Sequence, residues 1–248
     1  MSLVLMHAPR STCSQKVRMA LYEKGLDWTS REIDLRKNEH LTPEYLALNP
    51  NGVVPTLLHD GGAIIESSVI GEYLDDAFPQ KPLRPAAPRA LAHMRAWRQY
   101  IDEVPTPAIR VPSFQAFIRR TFKDGETFER EAAMRPIRKH FYMKMKTGSF
   151  SEQDLAEANE KLQQTIDRME KALGDGRPWL CGDMFTHADI CVMPNIVRLE
   201  DLNMAQMWAE RPRVSAWYQR LQARPAFALA YADPARRIFE YGGPQRGA

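Results

Sequence analysis

The chain has 248 residues, of which 44% are hydrophobic and 26% charged, and its formal net charge is +3 at pH 7. This length accommodates one large domain or two small ones, and so small a net charge does not by itself indicate a nucleic-acid partner. No run of about 18 apolar residues is present, so we expect no membrane span. The N-terminus does not resemble a secretory signal, and Cys13, Cys181 and Cys191 are widely spaced, which together predict a cytoplasmic protein without a disulfide framework.

The first eighty residues alternate between strand and helix periodicity. The segment LVLMH predicts a buried strand, followed by a helix that Gly25 ends and by a half-buried strand in WTSREIDL. TPEYLALN predicts a short helix, VPTLLHD and AIIES predict a hairpin around Gly61-Gly62, and SVIGEYLDDAF predicts a closing helix. The order β-α-β-α-β-β-α indicates a small mixed sheet covered by helices.

A proline-rich segment follows, with four prolines in the ten residues PQKPLRPAAP. Proline lacks a backbone donor and disfavours helix at the residue before it, so we predict a linker at 81–88 between domains at 1–80 and 89–248. The second domain is predicted to be all-helical, since its periodic segments are ALAHMRAWRQYIDE, SEQDLAEANEKLQQTIDRMEKAL, HADICVMPNIVRLEDL and RVSAWYQRLQA.

The turn RSTCS, between the first strand and the first helix, is the main candidate for chemistry. A helix N-terminus favours negative charge, so a hydroxyl there can donate to a thiolate and a cysteine there has a lowered pKa. The alternative is N-capping by Ser11, Thr12 or Ser14, which we prefer for Ser14 alone. For Ser11 together with Cys13 we favour a chemical role.

Three segments resemble the N-terminal domain of the glutathione transferase superfamily: RSTCSQKVRMALYEKGLDW, LNPNGVVPTL and ESSVIGEYLDDAFP. The resemblance covers about residues 1–100 and 178–228. It is greatest to the serine/cysteine branch, which includes zeta-class maleylacetoacetate isomerases, tetrachlorohydroquinone reductive dehalogenases and bacterial β-etherases. It implies a thioredoxin-like N-terminal domain, a C-terminal helical bundle that contributes the electrophile pocket, glutathione as co-substrate, and a homodimer.

The resemblance also implies a set of glutathione contacts. The Val54-Pro55 bond is expected to be cis, with the adjacent strand edge pairing with the cysteinyl backbone of glutathione. Ser67, as the N-cap of a helix, would bind the γ-glutamyl carboxylate. Glu66 would accept from the ammonium group, and His40 would reach the glycyl carboxylate. Where several classes place a Lys or Gln for that carboxylate, this chain has Val53.

These contacts predict an enzyme that activates glutathione as a thiolate for attack on a hydrophobic electrophile, aromatic or unsaturated. Ser11 is the expected hydrogen-bond donor to the glutathione sulfur. Cys13 is the alternative, as the thiol that resolves a mixed disulfide in a dehalogenase. Two other readings stay open: a non-catalytic ligand carrier on the same fold, and a thiol oxidoreductase that uses Cys13. No metal site, P-loop or dinucleotide motif is found.

Two further features stand outside the glutathione contacts. Thr186 and Asp189 form a capping-box pattern, which we interpret as structural. The stretch from Arg110 to Lys146 has ten basic residues against four acidic ones. A solvated helix face explains such a stretch, and the alternative is an electropositive wall beside a site for anionic ligands. The basic residues singled out for that wall are Arg110, Arg119, Arg120, Lys123, Arg135, Arg138 and Lys139.

Overall fold

A four-stranded mixed sheet organises the N-terminal part of the chain. The structure is a computed structural model that describes residues 2–117, 125–145 and 149–231. The strands are β1 (Leu3–His7), β2 (Thr29–Glu32), β3 (Thr56–His59) and β4 (Gly62–Ile65), in the order β2-β1-β3-β4. β1 pairs with β2 in parallel and with β3 antiparallel, and β4 closes an antiparallel hairpin with β3. The predicted mixed sheet is confirmed.

The hairpin turn lies one residue earlier than predicted. Its central residues are Asp60 (φ 47°) and Gly61 (φ 85°), while Gly62 already pairs with His59. Positive φ at both central residues is characteristic of a type I′ turn, whose twist matches that of the flanking strands. Asp60 accepts a hydrogen bond from the backbone N–H of Ser2 at 2.7 Å. The side chain thereby fixes the start of β1 to the turn.

The prediction of a half-buried second strand was wrong. All four residues of β2 are exposed, because this strand lies at the edge of the sheet. Alternation of polar and apolar residues does not distinguish an edge strand from a covered one. The buried residue of this segment is Ile33, just beyond the strand.

Three helices pack against the sheet: α1 (Thr12–Lys24), α2 (Pro43–Leu48) and α3 (Ser67–Ala77). α1 ends, as predicted, at Gly25, whose left-handed conformation (φ 64°) directs its N–H to the carbonyl oxygens of Leu21 and Tyr22. α1 contacts α3 of the sheet domain and α10 and α12 of the helical part. Most of its surface is therefore buried, including the charged side chains of Lys16, Arg18 and Lys24.

The remainder of the described chain is helical, as predicted. Its helices are α4 (Pro88–Glu103), α5 (Pro105–Ala108), α6 (Arg110–Phe117), α7 (Gly125–Ala133), α8 (Lys139–Met143), α9 (Glu152–Ala172), α10 (His187–Asp201), α11 (Pro212–Gln222) and α12 (Pro225–Tyr231). α10 is almost entirely buried and begins with the predicted capping box of Thr186 and Asp189. Asp189 also accepts from the indole N–H of Trp217 at 2.9 Å, which supports its structural interpretation. The placement of the domain boundary at 81–88 stays a prediction.

A buried charged cluster joins the two halves of the chain. Asp75 of α3 accepts from Lys24 Nζ at 2.6 Å, hydrogen-bonds His187 Nε2 at 3.0 Å and accepts from the backbone N–H of Leu83. The carbonyl of Leu83 in turn accepts from the N–H of His187 at 2.9 Å. Sheet domain, connecting segment and α10 are thus held together by one carboxylate. In the described ranges, no helix is long and apolar enough to cross a membrane.

Candidate active site

The turn between β1 and α1 combines a helix cap with an available hydroxyl. Ser11 is the N-cap of α1, and its Oγ accepts from the backbone N–H of Ser14 at 3.2 Å. Ser14 is buried, and its own Oγ accepts from the N–H of Ala8 at 3.3 Å. Capping uses only the oxygen of Ser11. Its hydroxyl proton has no acceptor in the part of the chain that the structure describes, so it is available to a ligand.

Cys13 lies in the first turn of α1 and is half-buried. Burial alone raises the pKa of its thiol, but three nearby cations and a hydrogen bond from Ser67 outweigh burial and hold the pKa below its ordinary value. The cations are Lys16 from α1, Arg110 from α6 and Arg138, the residue before α8. A helix N-terminus surrounded by cations is the setting in which cysteine becomes a thiolate near neutral pH.

Lys16 is held in place by an ion pair with the helical domain. Its Nζ lies 2.6 Å from Asp102 of α4, and the lysine side chain is almost fully buried. Burial lowers the pKa of Lys16, but the sulfurs of Cys191 and Cys13 and the carboxylate of Asp102 raise it above its ordinary value. Lys16 therefore stays charged, and it supplies a fixed positive charge next to Cys13.

Glu66 and Ser67 connect β4 to α3, with a correction to the prediction for Ser67. Glu66 occupies the N-cap position, and Ser67 is the first helical residue. The backbone of Glu66 has φ 67° and ψ 112°, a conformation that is costly for a residue with a side chain and that occurs most often at functional sites. Asn51 Nδ2 donates to Glu66 Oε1 at 2.8 Å. The Ser67 N–H is one of the unpaired donors of the first helical turn.

In the segment before β3, one residue has a backbone N–H and a carbonyl that make no hydrogen bond to the described residues. The Val54-Pro55 bond is cis, as the resemblance implies. The neighbouring carbonyl of Val53 accepts from the Tyr45 hydroxyl and from the Asn49 amide, at 2.8 and 2.9 Å. In contrast, no partner within the described ranges bonds the N–H or the carbonyl of Val54. An N–H and a carbonyl of one residue are the two groups with which an extended peptide pairs.

His40 is a buried side chain with an unsatisfied ring nitrogen. It is 6% exposed, and its Nδ1 has no hydrogen-bond partner among the residues that the structure describes. Burial, with the positive charges of Arg135 and Arg138, lowers the pKa of His40 to about 4. The imidazole is therefore neutral at physiological pH. A neutral ring can still donate one hydrogen bond to a carboxylate.

A contact between Arg135 and Asn38, which the sequence did not reveal, lies at one end of the region around His40. Arg135, just beyond α7, donates to the Glu131 carboxylate at 3.1 Å and to Asn38 Oδ1 at 3.2 Å, while Asn38 Nδ2 donates to both Glu131 oxygens at 2.9 Å. Pro136 follows and lies so close to Gly52 that a Cβ there would be 3.0 Å from its ring. The segment after α7 therefore covers the chain beside His40.

The basic residues of the stretch from Arg110 to Lys146 therefore have different roles. Arg135 belongs to this interdomain contact, Arg110 and Arg138 face Cys13, and Lys139 is exposed to solvent. The other basic residues singled out from the sequence, Arg119, Arg120 and Lys123, lie outside the described residues. No cluster of His, Cys, Asp or Glu that could hold a metal ion is found among the residues that the structure describes.

Comparison with known proteins identifies the family. Residues 5–82 match the model of the glutathione S-transferase N-terminal domain, and residues 152–220 match that of the C-terminal domain. The chain is 30% identical to Protein LigF of Sphingobium sp. (strain NBRC 103272 / SYK-6) over 233 residues, which cover 90% of each chain. It is also 30% identical to the tetrachloro-p-hydroquinone reductive dehalogenase of Sphingobium chlorophenolicum, covering 90% of this chain and 93% of that protein.

Solved structures agree with these matches. The crystal structure of β-etherase LigF from Sphingobium sp. strain SYK-6 superposes with a TM-score of 0.83 at 29% identity, covering 94% of this chain and 99% of that one. Glutathione transferase F7 from Populus trichocarpa gives a TM-score of 0.75 at 27% identity, covering 95% and 100%. The two domain matches, the relatives and the superposed structures therefore lead to one conclusion: the chain belongs to the glutathione S-transferase family, whose co-substrate is glutathione.

Proposed function

We propose that the chain binds glutathione along the edge formed by Val54, Glu66 and Ser67 and activates its sulfur as a thiolate. The observation that carries this proposal is the set of unused groups in one region. These are the free backbone pair of Val54, the free N–H of Ser67 and the unsatisfied ring nitrogen of His40. They match the amide, the γ-glutamyl carboxylate and the glycyl carboxylate of the tripeptide.

In this arrangement the Ser11 hydroxyl donates its proton to the glutathione sulfur. The N-terminus of α1 and the charge of Lys16 stabilise the sulfur as a thiolate, which lowers the pKa of glutathione and provides a nucleophile at neutral pH. The thiolate then forms a C–S bond with an aromatic or unsaturated carbon. In a substitution the leaving group departs with the electron pair of its own bond to that carbon.

A second candidate function assigns chemistry to Cys13, and the lowered pKa of its thiol favours it. Here the Cys13 thiolate attacks the sulfur of a glutathione conjugate, an S–S bond forms, and the C–S bond breaks. The released carbon takes up a proton, and a second glutathione reduces the mixed disulfide and leaves as glutathione disulfide. Because one relative is named a tetrachloro-p-hydroquinone reductive dehalogenase, halogenated phenols are the substrates that we propose for this second candidate.

The experiment that tests glutathione binding is calorimetric titration with millimolar glutathione. We propose that the Ser67 hydroxyl joins its N–H in binding the γ-glutamyl carboxylate, so Ser67→Ala should weaken binding. Ser68→Ala is the matched control, since the Ser68 hydroxyl is engaged with Cys191 and Asp102. The proposal would be contradicted if the parent protein gave no heat of binding and the Ser67→Ala variant gave the same result as the parent. Intact-mass analysis after reaction with a pre-formed glutathione conjugate, in the absence of free glutathione, separates the candidates, because only the second then leaves a glutathione adduct on Cys13.

Assembly and location are also proposals. We propose a homodimer and a cytoplasmic location, as is typical of this family. Support comes from Val69 of α3, an apolar side chain that is 54% exposed, and from the three free cysteines. Sedimentation velocity tests the first proposal, and a monomer at micromolar concentration would contradict it.

A further inference from the structure

Arg198 of α10 reaches the turn that carries Ser11. Its Nη2 donates to the backbone carbonyl of Arg10, the residue before Ser11, and its Nη1 donates to Ser113 Oγ at 3.2 Å. The Ser113 hydroxyl donates in turn to the carbonyl of Ile109 at 2.6 Å. Arg198 is only 5% exposed. One buried guanidinium therefore joins α10 both to the reactive turn and to α6.

A second buried arginine holds the same turn from α1. Arg18 is fully buried, and its Nη2 donates to the carbonyl of Pro9 at 2.8 Å, while its Nη1 lies 3.5 Å from the carbonyl of Ala8. The carbonyls of the three residues before Ser11 are thus all directed at guanidinium groups. Arg18 belongs to the helix that Ser11 caps, whereas Arg198 belongs to the helical part of the chain. Arg198 therefore fixes the turn relative to α10.

The direction of the Ser11 hydroxyl depends on this turn. Ser11 has an extended backbone (φ −69°, ψ 121°), and its Oγ accepts from the N–H of Ser14 at 3.2 Å. The peptide bond between Arg10 and Ser11 is planar, so a rotation of the Arg10 carbonyl also moves the backbone of Ser11 and its side chain. A displacement of about 1 Å in a group that takes part in a reaction can lower the rate about 10²-fold. A contact that fixes this peptide consequently fixes the reach of the hydroxyl.

We propose that Arg198 is a positioning residue, which holds the Arg10–Ser11 peptide so that the Ser11 hydroxyl reaches the glutathione sulfur. This inference rests on the proposed function, because it specifies what keeps the hydrogen-bond donor of that site in place. Arg198 exchanges no proton and forms no bond to the substrate, and it acts through Ser11. Its loss should therefore disturb the ionisation of bound glutathione, while the affinity for glutathione, which the proposed edge of β3 and α3 provides, stays nearly unchanged.

The test is Arg198→Met, with the ionisation of bound glutathione as the first measurement. The ultraviolet absorbance of the thiolate is titrated as the difference between complexes with glutathione and with S-methylglutathione, which has no thiol. Cys13 then contributes equally to both complexes. Arg198→Met should raise the midpoint of this titration by about 0.5–1 unit, the shift that corresponds to one ordinary hydrogen bond. Calorimetry should give nearly the same dissociation constant for glutathione as in the parent protein.

The second measurement is kcat with glutathione and 1-chloro-2,4-dinitrobenzene at a pH below both midpoints. It should fall about 3- to 10-fold in Arg198→Met, because the thiolate fraction falls by that factor. Arg198→Lys should raise the midpoint less, since an ammonium group still donates to the Arg10 carbonyl. Arg220→Met is the matched control: Arg220 of α11 also donates to a loop carbonyl, that of Pro178, at 3.0 Å. This control should leave both the midpoint and kcat unchanged.

A double-mutant cycle distinguishes positioning from a merely structural role. In a Ser11→Ala chain, Arg198→Met should change neither the midpoint nor kcat further, while its effect on the free energy of unfolding in urea should persist. An equal loss of kcat with and without Ser11 would overturn the inference, as would a parent-like midpoint in Arg198→Met. If that variant does not fold, a parent-like midpoint in Arg198→Lys overturns it instead. A midpoint that Ser11→Ala itself leaves unchanged would contradict the proposed function.

Discussion

Ser67, the first residue of α3, lies beside Cys13 in the first turn of α1 and favours the ionised form of its thiol, which lowers the pKa of Cys13. Two helix N-termini therefore converge on one thiol, and both favour its negative form. Ser67 is also the proposed anchor for the γ-glutamyl carboxylate. Binding of glutathione and the ionisation of Cys13 consequently draw on the same hydroxyl.

The first prediction concerns the reactivity of Cys13. Its alkylation by iodoacetamide, followed by mass spectrometry over a pH series, should have a midpoint below about 8.5, the ordinary value for cysteine. Ser67→Ala and Arg138→Met should both move the midpoint upwards, because each removes a group that favours the thiolate. Cys181 is the internal control, since burial and Asp189 raise the pKa of its thiol to about 12. A midpoint that Ser67→Ala leaves in place would contradict the proposed hydrogen bond.

The second prediction separates capping from chemistry at Ser11. Ser11→Ala should lower kcat/KM about 10²- to 10³-fold, by analogy with the loss of one oxyanion donor. It should also lower the free energy of unfolding by about 1 kcal/mol, because the N-cap of α1 is lost. Ser151→Ala removes a comparable cap from α9 and is expected to change stability alone. Cys13→Ser should affect a substitution reaction mildly, and a large loss of rate there would favour the second candidate function.

The third prediction concerns His40 and acid. Its pKa is 6.5 when exposed and about 4 in the folded chain, so between these values the unfolded state binds more protons at this site. Stability therefore falls as the pH decreases from about 6.5 to 4, by at most about 3.4 kcal/mol from this group. His40→Gln should reduce this dependence in urea unfolding at pH 7 and pH 4.5. An identical loss of stability in parent and variant would show that His40 does not contribute.

The fourth prediction compares two adjacent carboxylates of α3. Asp75→Asn should destabilise the protein by about 3–5 kcal/mol, because it leaves Lys24 buried without a counter-charge. Burial alone raises the pKa of Asp75, but His187, Lys24 and the Leu83 N–H lower it to about 2. Its contribution is accordingly lost as the pH falls from about 4 to 2. Asp76→Asn is the control: its side chain is 63% exposed and pairs with Arg84 at the surface, so a change within about 0.5 kcal/mol is expected.

Much of the fold could be predicted because its signals are local. Gly25 at the end of α1 and the Thr186–Asp189 box at the start of α10 act through backbone groups within a few residues. The hairpin prediction was displaced by one residue because aspartate can adopt a positive φ, as Asp60 does. A sequence that offers Asp-Gly-Gly allows more than one turn position.

The site could be predicted only in part, for a related reason. Ser11, Cys13 and Ser67 were recognisable from their motifs, whereas the charges around them come from distant segments. Lys16 and Asp102 are 86 residues apart in sequence, and nothing local indicates that they pair. The Arg135–Asn38 contact joins residues 97 apart, in a stretch that no motif describes. Such pairs depend on tertiary packing, and their identification required the structure.

The cluster around Asp75 has a consequence for any exchange of domains between relatives. A chain divided at the proline-rich segment would leave Asp75 and Lys24 on one piece and His187 on the other, while Leu83 bonds to both. A recombinant chimera that imports a foreign helical half must therefore bring a histidine to the same place. Inheritance of the two halves is coupled by this requirement.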